Sequence, residues 1–141
     1  MGELQRFGVS IDQELLDNFD RLLTARGYAN RSEALRDLIR EALIENRIDA
    51  DGSTEALGSL TLVYDHHARN LAAEMGEIQH DFHANIVSVM HLHVSHSDCL
   101  EILALRGNVA RLVELSNRLL CLKGIKNGKL FLTLPSSEIT R

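Results

Sequence analysis

All seven histidines of the 141-residue chain lie between residues 65 and 98. His91 and His93 are two residues apart, a spacing that directs both rings to the same face of a β-strand. Cys99 follows across a short Ser-His-Ser-Asp segment that could bring its sulfur alongside. Imidazole and thiolate donors suit nickel, copper, zinc or cobalt, whereas calcium and magnesium prefer oxygen. The spacing therefore predicts a transition-metal site built on His91, His93 and Cys99.

The elements that must position these donors alternate along the second half of the chain. Apolar periodicity predicts strands over residues 60–64, 85–94, 100–105 and 129–134 and helices over 69–81 and 108–122, with a turn at Arg106-Gly107. The order β-α-β-β-α-β is the ferredoxin-like pattern, which places both helices on one face of a four-stranded sheet. Cys121, within the second helical stretch, is expected to be a small core residue.

The histidine pair shares a strand face with Val87 and Val89. If both helices cover the opposite face, this apolar face is bare in a single chain and needs a cover, most simply another subunit. His80, near the end of the preceding helix, could then reach a neighbouring subunit's metal site.

The first 48 residues predict a strand followed by two helices. Residues 6–11 alternate between apolar and polar side chains, as in a half-buried strand. Asp12 opens a first helix that ends at Gly27, and Asn30 with Glu33 has the spacing of a capping box for a second. The polar run that begins at Asp49 indicates a linker. We therefore predict a front domain over residues 1–48, a linker over 49–58 and a rear domain over 59–141.

A strand and two helices are too small to stand alone, because the strand has two unpaired edges. An intertwined dimer, in which the first strands pair antiparallel, solves this problem and exposes Arg6, Gly8 and Ser10 on one face. A two-stranded ribbon of this kind fits the major groove of DNA. The net charge of −5 argues against a generally basic nucleic-acid coat, so DNA binding must use this local patch.

The motifs RFGVSID and RGYANRSEALRDLIREAL resemble the ribbon-helix-helix repressors and the front of the NikR family. The resemblance implies base contacts from residues 6, 8 and 10, and phosphate contacts from Arg31 and Ser32 at a helix N-terminus. Gly8 departs from the family, which usually carries a polar side chain there, so the operator sequence or affinity is expected to differ. Ala68 stands where relatives often carry a basic residue.

The rear half resembles the ACT-like metal-binding domain of the same family through VYDHHARNLA and SHSDCLEI. The family pattern of His, ten residues, His-x-His, five residues and Cys implies a square-planar nickel site formed by His80, His91, His93 and Cys99. It also implies one Ni²⁺ per subunit at a tetramer interface, with His80 contributed across that interface. Three further residues align with positions that hydrogen-bond the ligands: Tyr64, His66 and Glu101.

A weaker cation site is implied at Glu33 and Asp37, one turn apart on the second helix, where the resemblance suggests potassium. Salt bridges to Arg31, Arg36 or Arg40 are an equal alternative for these carboxylates.

The features predict an α+β protein with two domains, and the NikR resemblance implies a homotetramer, a dimer of dimers, that binds a palindromic DNA operator and represses nickel-uptake genes when nickel is bound. Two cysteines and no membrane-length apolar run predict a cytoplasmic protein with no membrane partner. The resemblance implies a bacterial or archaeal source. A regulator of the same fold that responds to copper, cobalt or zinc is one alternative, and a metal-buffering protein is another. An enzyme is not expected, because four protein ligands leave a square-planar ion no equatorial position for substrate.

Overall fold

The computed structural model describes residues 2–139. Contacts divide the chain into two compact units, one up to Glu41 and one from Ala42. The first residue of the predicted front domain and the last two of the predicted rear domain lie outside the described residues. The helices and strands run in the following order: α1 Gln13–Ala25, α2 Arg31–Ala50, β1 Glu55–Asp65, α3 Leu71–Asp81, β2 Ile86–His93, β3 Asp98–Asn108, α4 Val109–Leu120, β4 Ile125–Thr133 and α5 Ser136–Ile139.

Within residues 2–139, none of the helices combines the length and apolar character that crossing a membrane requires.

The predicted strand over residues 6–11 is not a strand in the single chain. Phe7 and Val9 are 71% and 62% exposed. The physical reason is that an isolated extended segment has no neighbour to accept and donate its backbone hydrogen bonds. A ribbon at this position therefore needs a strand from outside the chain.

The first helix begins and ends as predicted, and the second begins as predicted. The Asp12 carboxylate accepts a hydrogen bond from the backbone N–H of Leu15, and Gly27 has the positive φ of 78° that ends many helices. The Asn30 side chain accepts from the N–H of Glu33 at 3.0 Å, which caps α2. Together with the preceding segment the helices form an open apolar groove of about 380 Å³, lined by Val9, Ile11, Leu15, Leu16, Phe19, Arg31, Leu35 and Leu38.

The rear unit is the predicted β-α-β-β-α-β fold, with an antiparallel sheet in the order β2-β3-β1-β4. The strands β1, β3 and β4 are longer than predicted, whereas β2 is two residues shorter. β1 begins at Glu55 and α2 continues to Ala50, so only residues 51–54 separate these two elements. Gly58 and Ser59 interrupt the apolar alternation of β1 and hide its first half from sequence reasoning. Arg106-Gly107 likewise belongs to β3, opposite Leu57 and Ala56, and is not a turn.

The core lies between one face of the sheet and the two helices α3 and α4. Leu60 and Leu103 are fully buried partners on this face, and Leu112 and Leu115 from α4 are equally buried in the same core. Cys121 is not part of this core, because it lies just past the end of α4 and is exposed.

The strand register corrects the prediction about the histidine face. His91 lies opposite Glu101 and His93 opposite Cys99, and directly opposed residues of an antiparallel pair point to the same side. Glu101 and Cys99 are buried on the helix side of the sheet. The histidine pair is therefore on the helix-covered face, and it is exposed because β2 is the edge strand.

Candidate metal centre

Three donor atoms, from His66, His93 and Cys99, lie within 4.8 Å of one another. The Cys99 Sγ is 3.5 Å from the His93 Nδ1. Cys99 is buried, whereas both histidines are exposed. The donor set therefore consists of one buried sulfur and two exposed imidazoles. Such a set fits nickel, copper, zinc or cobalt.

The turn between β2 and β3 brings His93 and Cys99 together. The backbone N–H groups of Val94 and Ser95 both donate to the carbonyl of Asp98, at 2.9 and 3.2 Å. The N–H of Asp98 donates to the Ser95 hydroxyl at 3.1 Å. This turn reverses the chain so that Cys99 pairs directly with His93.

His66 reaches the same place from the end of β1. Tyr64 is the register partner of Cys99, so the residues that follow it lie beside the β2–β3 turn. The backbone N–H of His66 donates to the carbonyl of Ser97 at 3.1 Å. Sequence reasoning had assigned His66 an orienting role, and its proximity to Cys99 depends on a strand pairing that local spacing does not reveal.

His91 lies one step further along β2, with its ring centroid 5.1 Å from that of His93. The Tyr64 hydroxyl is 3.4 Å from the His91 Nε2. Burial, followed by the charges of Glu101 and Cys99, raises the pKa of Tyr64 to about 12. The hydroxyl therefore stays protonated at neutral pH and can donate a hydrogen bond.

Glu101 is the buried acid of the site, with 7% of its surface exposed opposite His91. Burial raises its pKa, while the nearby His91 and a hydrogen bond from Gln79 lower it. The Gln79 side-chain nitrogen donates to the Glu101 Oε2 at 3.4 Å. Because Gln79 belongs to α3 and Glu101 to β3, this contact ties the helix to the strand that also carries Cys99.

His80 does not join the donor group within the described residues of the single chain. It is exposed in the last turn of α3, where its ring stacks on that of His83 at 5.9 Å between centroids. Of the four predicted ligands, His93 and Cys99 belong to the donor group, and His91 lies beside His93 but outside that group. The fourth, His80, stands apart on α3.

The sequence of this chain matches two known protein-family models. Residues 57–133 match the family model described as "NikR C terminal nickel binding domain", and residues 5–45 match "Ribbon-helix-helix protein, copG family". The chain belongs to the NikR family. This is a family of nickel-responsive DNA-binding regulators rather than enzymes, as the sequence predicted.

The relatives of this NikR-family chain match it from end to end. It is 49% identical to the "Putative nickel-responsive regulator" of Trichlorobacter lovleyi over 138 residues, which cover 98% of this chain and 99% of the relative. A protein of the same description from Geobacter sulfurreducens is 46% identical, with 99% of each chain covered. The solved structure of the uncharacterized protein TM1266 from Thermotoga maritima shares the fold alone, with a TM-score of 0.51, 19% identity and coverage of 55% of this chain and 96% of that one.

The residues that the NikR resemblance assigns to DNA lie in the front unit. Arg6, Gly8 and Ser10 are exposed, and no atom lies within 4 Å of the place where a side chain at Gly8 would begin. Arg31 donates two hydrogen bonds to the Asp20 carboxylate, at 2.9 and 2.8 Å. These bonds lower the pKa of Asp20. Arg31 is thereby oriented at the start of α2, next to the exposed Ser32.

The carboxylates of the predicted potassium site have different surroundings. Asp37 accepts hydrogen bonds from the Tyr28 hydroxyl at 2.8 Å and from Arg40 at 3.0 Å. The bond to Asp37 raises the pKa of Tyr28. Asp37 therefore has the salt bridge that the alternative predicted, and Glu33 lies beside it in the same polar pocket.

Proposed function

We propose that this chain represses nickel-uptake genes in a bacterial or archaeal cytoplasm by binding a palindromic operator when nickel is bound. The observation that carries the proposal is the contact of His93 with Cys99, with His91 beside them, inside a nickel-binding domain. Two imidazoles and a thiolate from one subunit leave one position of a square plane to be filled. The sequence pattern supports His80 of a neighbouring subunit as the fourth ligand, with one nickel per subunit of a homotetramer.

Three neighbours of the proposed ligands have orienting roles. The Tyr64 hydroxyl is placed to hydrogen-bond His91, and the Glu101 carboxylate lies across the strand pair from the same ring. Such partners select the tautomer and orientation of a metal-bound imidazole. His66 is close enough to Cys99 to act either as an orienting residue or as an additional ligand.

The DNA-reading surface is proposed to be a ribbon formed by residues 6–11 of two chains. Arg6 and Ser10 would contact bases, with Gly8 offering only backbone, while Arg31 and Ser32 would contact phosphates. Nickel can regulate this surface only if the DNA-competent arrangement binds the metal more tightly than the incompetent one. We also propose a front domain over residues 1–48 and a rear domain over residues 59–141. Glu33 and Asp37 are proposed to bind a potassium ion.

The second candidate function is a regulator of the same fold that responds to another metal. Copper binds most nitrogen and sulfur sites more tightly than nickel, and zinc and cobalt accept the same donors. Comparing operator binding at buffered free concentrations of each metal separates these effectors. A metal-buffering protein would bind the metal without any change in operator affinity.

The test is a nickel titration of wild type and His93→Ala, read by ultraviolet-visible absorption and by an operator gel shift in parallel. We expect a thiolate-to-nickel band and nickel-dependent operator binding in wild type, with both lost in the variant. His96→Ala is the matched control, because it removes a histidine from the β2–β3 turn that is outside the donor group. A nickel-loaded wild type that binds no palindromic sequence near metal-uptake genes would contradict the proposal.

A further inference from the structure

Two arginines of α4 hold the end of α3, the helix that carries His80. The Arg111 guanidinium donates to the backbone carbonyl of Asp81 at 3.2 Å. The Arg118 guanidinium forms an ion pair with the Asp81 side chain, also at 3.2 Å. Asp81 is the last residue of α3, so both contacts reach the terminal turn directly.

The same two arginines stack on Phe82, the residue that follows α3. The Arg111 Cζ lies 3.9 Å and the Arg118 Cζ 5.4 Å from the centre of its ring. Phe82 has no exposed surface, so it is a fixed anchor in the core. A guanidinium over an aromatic face is attracted by the ring, and a cation at a helix C-terminus also complements the helix dipole.

His80 is tied to this anchored end through the backbone. The carbonyl of His80 accepts from the N–H of His83 at 3.2 Å and lies 2.9 Å from the His83 Nδ1. The N–H of Phe82 donates to the carbonyls of Ile78 and Gln79, both at 3.2 Å. A shift of the last turn would therefore carry the His80 ring with it.

Arg111 is itself held in place on α4. Its backbone N–H donates to the Asn108 side chain at 2.8 Å, which caps the helix, and its guanidinium pairs with Glu114 at 3.3 Å. All of these contacts lie within one subunit and use none of the proposed metal donors. They are thus available whether or not nickel is bound.

We propose that Arg111 and Arg118 are positioning residues for His80, which keep the last turn of α3 in the conformation that offers its imidazole to the nickel of a neighbouring subunit. This inference rests on the proposed function, because it takes His80 as the ligand donated across the interface. A donor that is already ordered loses less conformational entropy when it binds, so the contacts raise nickel affinity without touching the metal.

The test compares Arg111→Ala/Arg118→Ala with wild type by hydrogen exchange of α3 in the metal-free protein and by competitive nickel titration. We expect protection of the last turn of α3 and nickel affinity each to fall about tenfold, the size expected when partly exposed cation–π and helix-end contacts are lost. In a His80→Ala background the arginine substitutions should cause no further loss of nickel affinity, because they act through that ligand.

Two further variants make the outcome specific. Arg111→Lys/Arg118→Lys keeps both charges but loses the planar guanidinium, so we expect an intermediate loss of affinity. Lys129→Ala, which removes a positive charge from the exposed side of β4, should leave both measurements unchanged. Equal loss of affinity in the wild-type and His80→Ala backgrounds would overturn the positioning role. If His80→Ala alone leaves nickel affinity unchanged, the ligand assignment itself is wrong and the positioning role is overturned with it.

Discussion

The side chains around Cys99 differ in what each can contribute to a metal ion. His93 and Cys99 are in contact, and His66 is near enough to complete a set of three donors. His91 instead faces the hydroxyl of Tyr64. Which histidine coordinates the metal and which only orients a ligand stays a prediction, and substitution of each histidine tests it.

We predict that His91→Ala lowers nickel affinity by more than about 100-fold, whereas His66→Ala lowers it by about 10- to 100-fold. The reason is that removing a ligand leaves a square plane incomplete, while removing an orienting neighbour disturbs only ligand geometry. Competitive titration against a chelator of known affinity measures both. If His66→Ala has the larger effect, then His66 is a ligand and the assignment of His91 must be revised.

At the scale of single elements, the segment before α1 exposes apolar side chains and forms no strand in the single chain. Its apolar side chains Phe7 and Val9 are exposed, and Val9 lines the open groove of the front unit. Pairing with the same segment of a second chain would satisfy the backbone and bury this apolar surface together. Formation of the ribbon and formation of the dimer are then one event.

We predict that Val9→Asp weakens dimerisation through the front unit by about 100-fold, because it would bury two uncompensated charges in a shared core. Sedimentation analysis and operator gel shifts measure the two consequences. Arg6→Ala is the contrasting variant, since it should weaken operator binding while leaving assembly intact. Loss of operator binding by Val9→Asp without any change in assembly would show that Val9 is not part of the dimer core.

For the whole molecule, nickel binding and folding stability are linked. A ligand that binds only the folded state stabilises it by about 2.7 kcal/mol at a free concentration one hundred times its dissociation constant. The proposed ligands come from β2 and β3 of one subunit and from α3 of a neighbour, so bound nickel would resist the separation of these elements.

We predict that such a nickel concentration raises the melting temperature of the rear unit by about 10–20 °C, because each kcal/mol of stabilisation shifts a domain of this size by about 4–8 °C. Calorimetry of wild type, with and without nickel, measures the shift. A chelator should reverse it, and His93→Ala should show little of it. An equal shift in wild type and His93→Ala would place the stabilising nickel at a different site.

Comparing the structure with the sequence-based expectations shows which parts of the fold the local apolar pattern predicts. The order of elements in the rear unit was predicted correctly because apolar periodicity changes between strand and helix. The start of β1 was missed because Gly58 and Ser59 break that periodicity, and the strand is stabilised there by pairing with β3. Strand pairing is a long-range interaction, and a single sequence does not display it.

By itself, the sequence determined the chemistry of this protein. The His-x-His spacing and the following cysteine predict donors for a transition metal, because alternate residues of a strand share a face. Only the tertiary structure decided where those donors stand. The register of β2 on β3 places His91 and His93 on the helix-covered face, and the pairing of β1 with β3 brings His66 to Cys99. Residue spacing along a strand defines which side chains point together, but the neighbouring strands and helices define what they point toward.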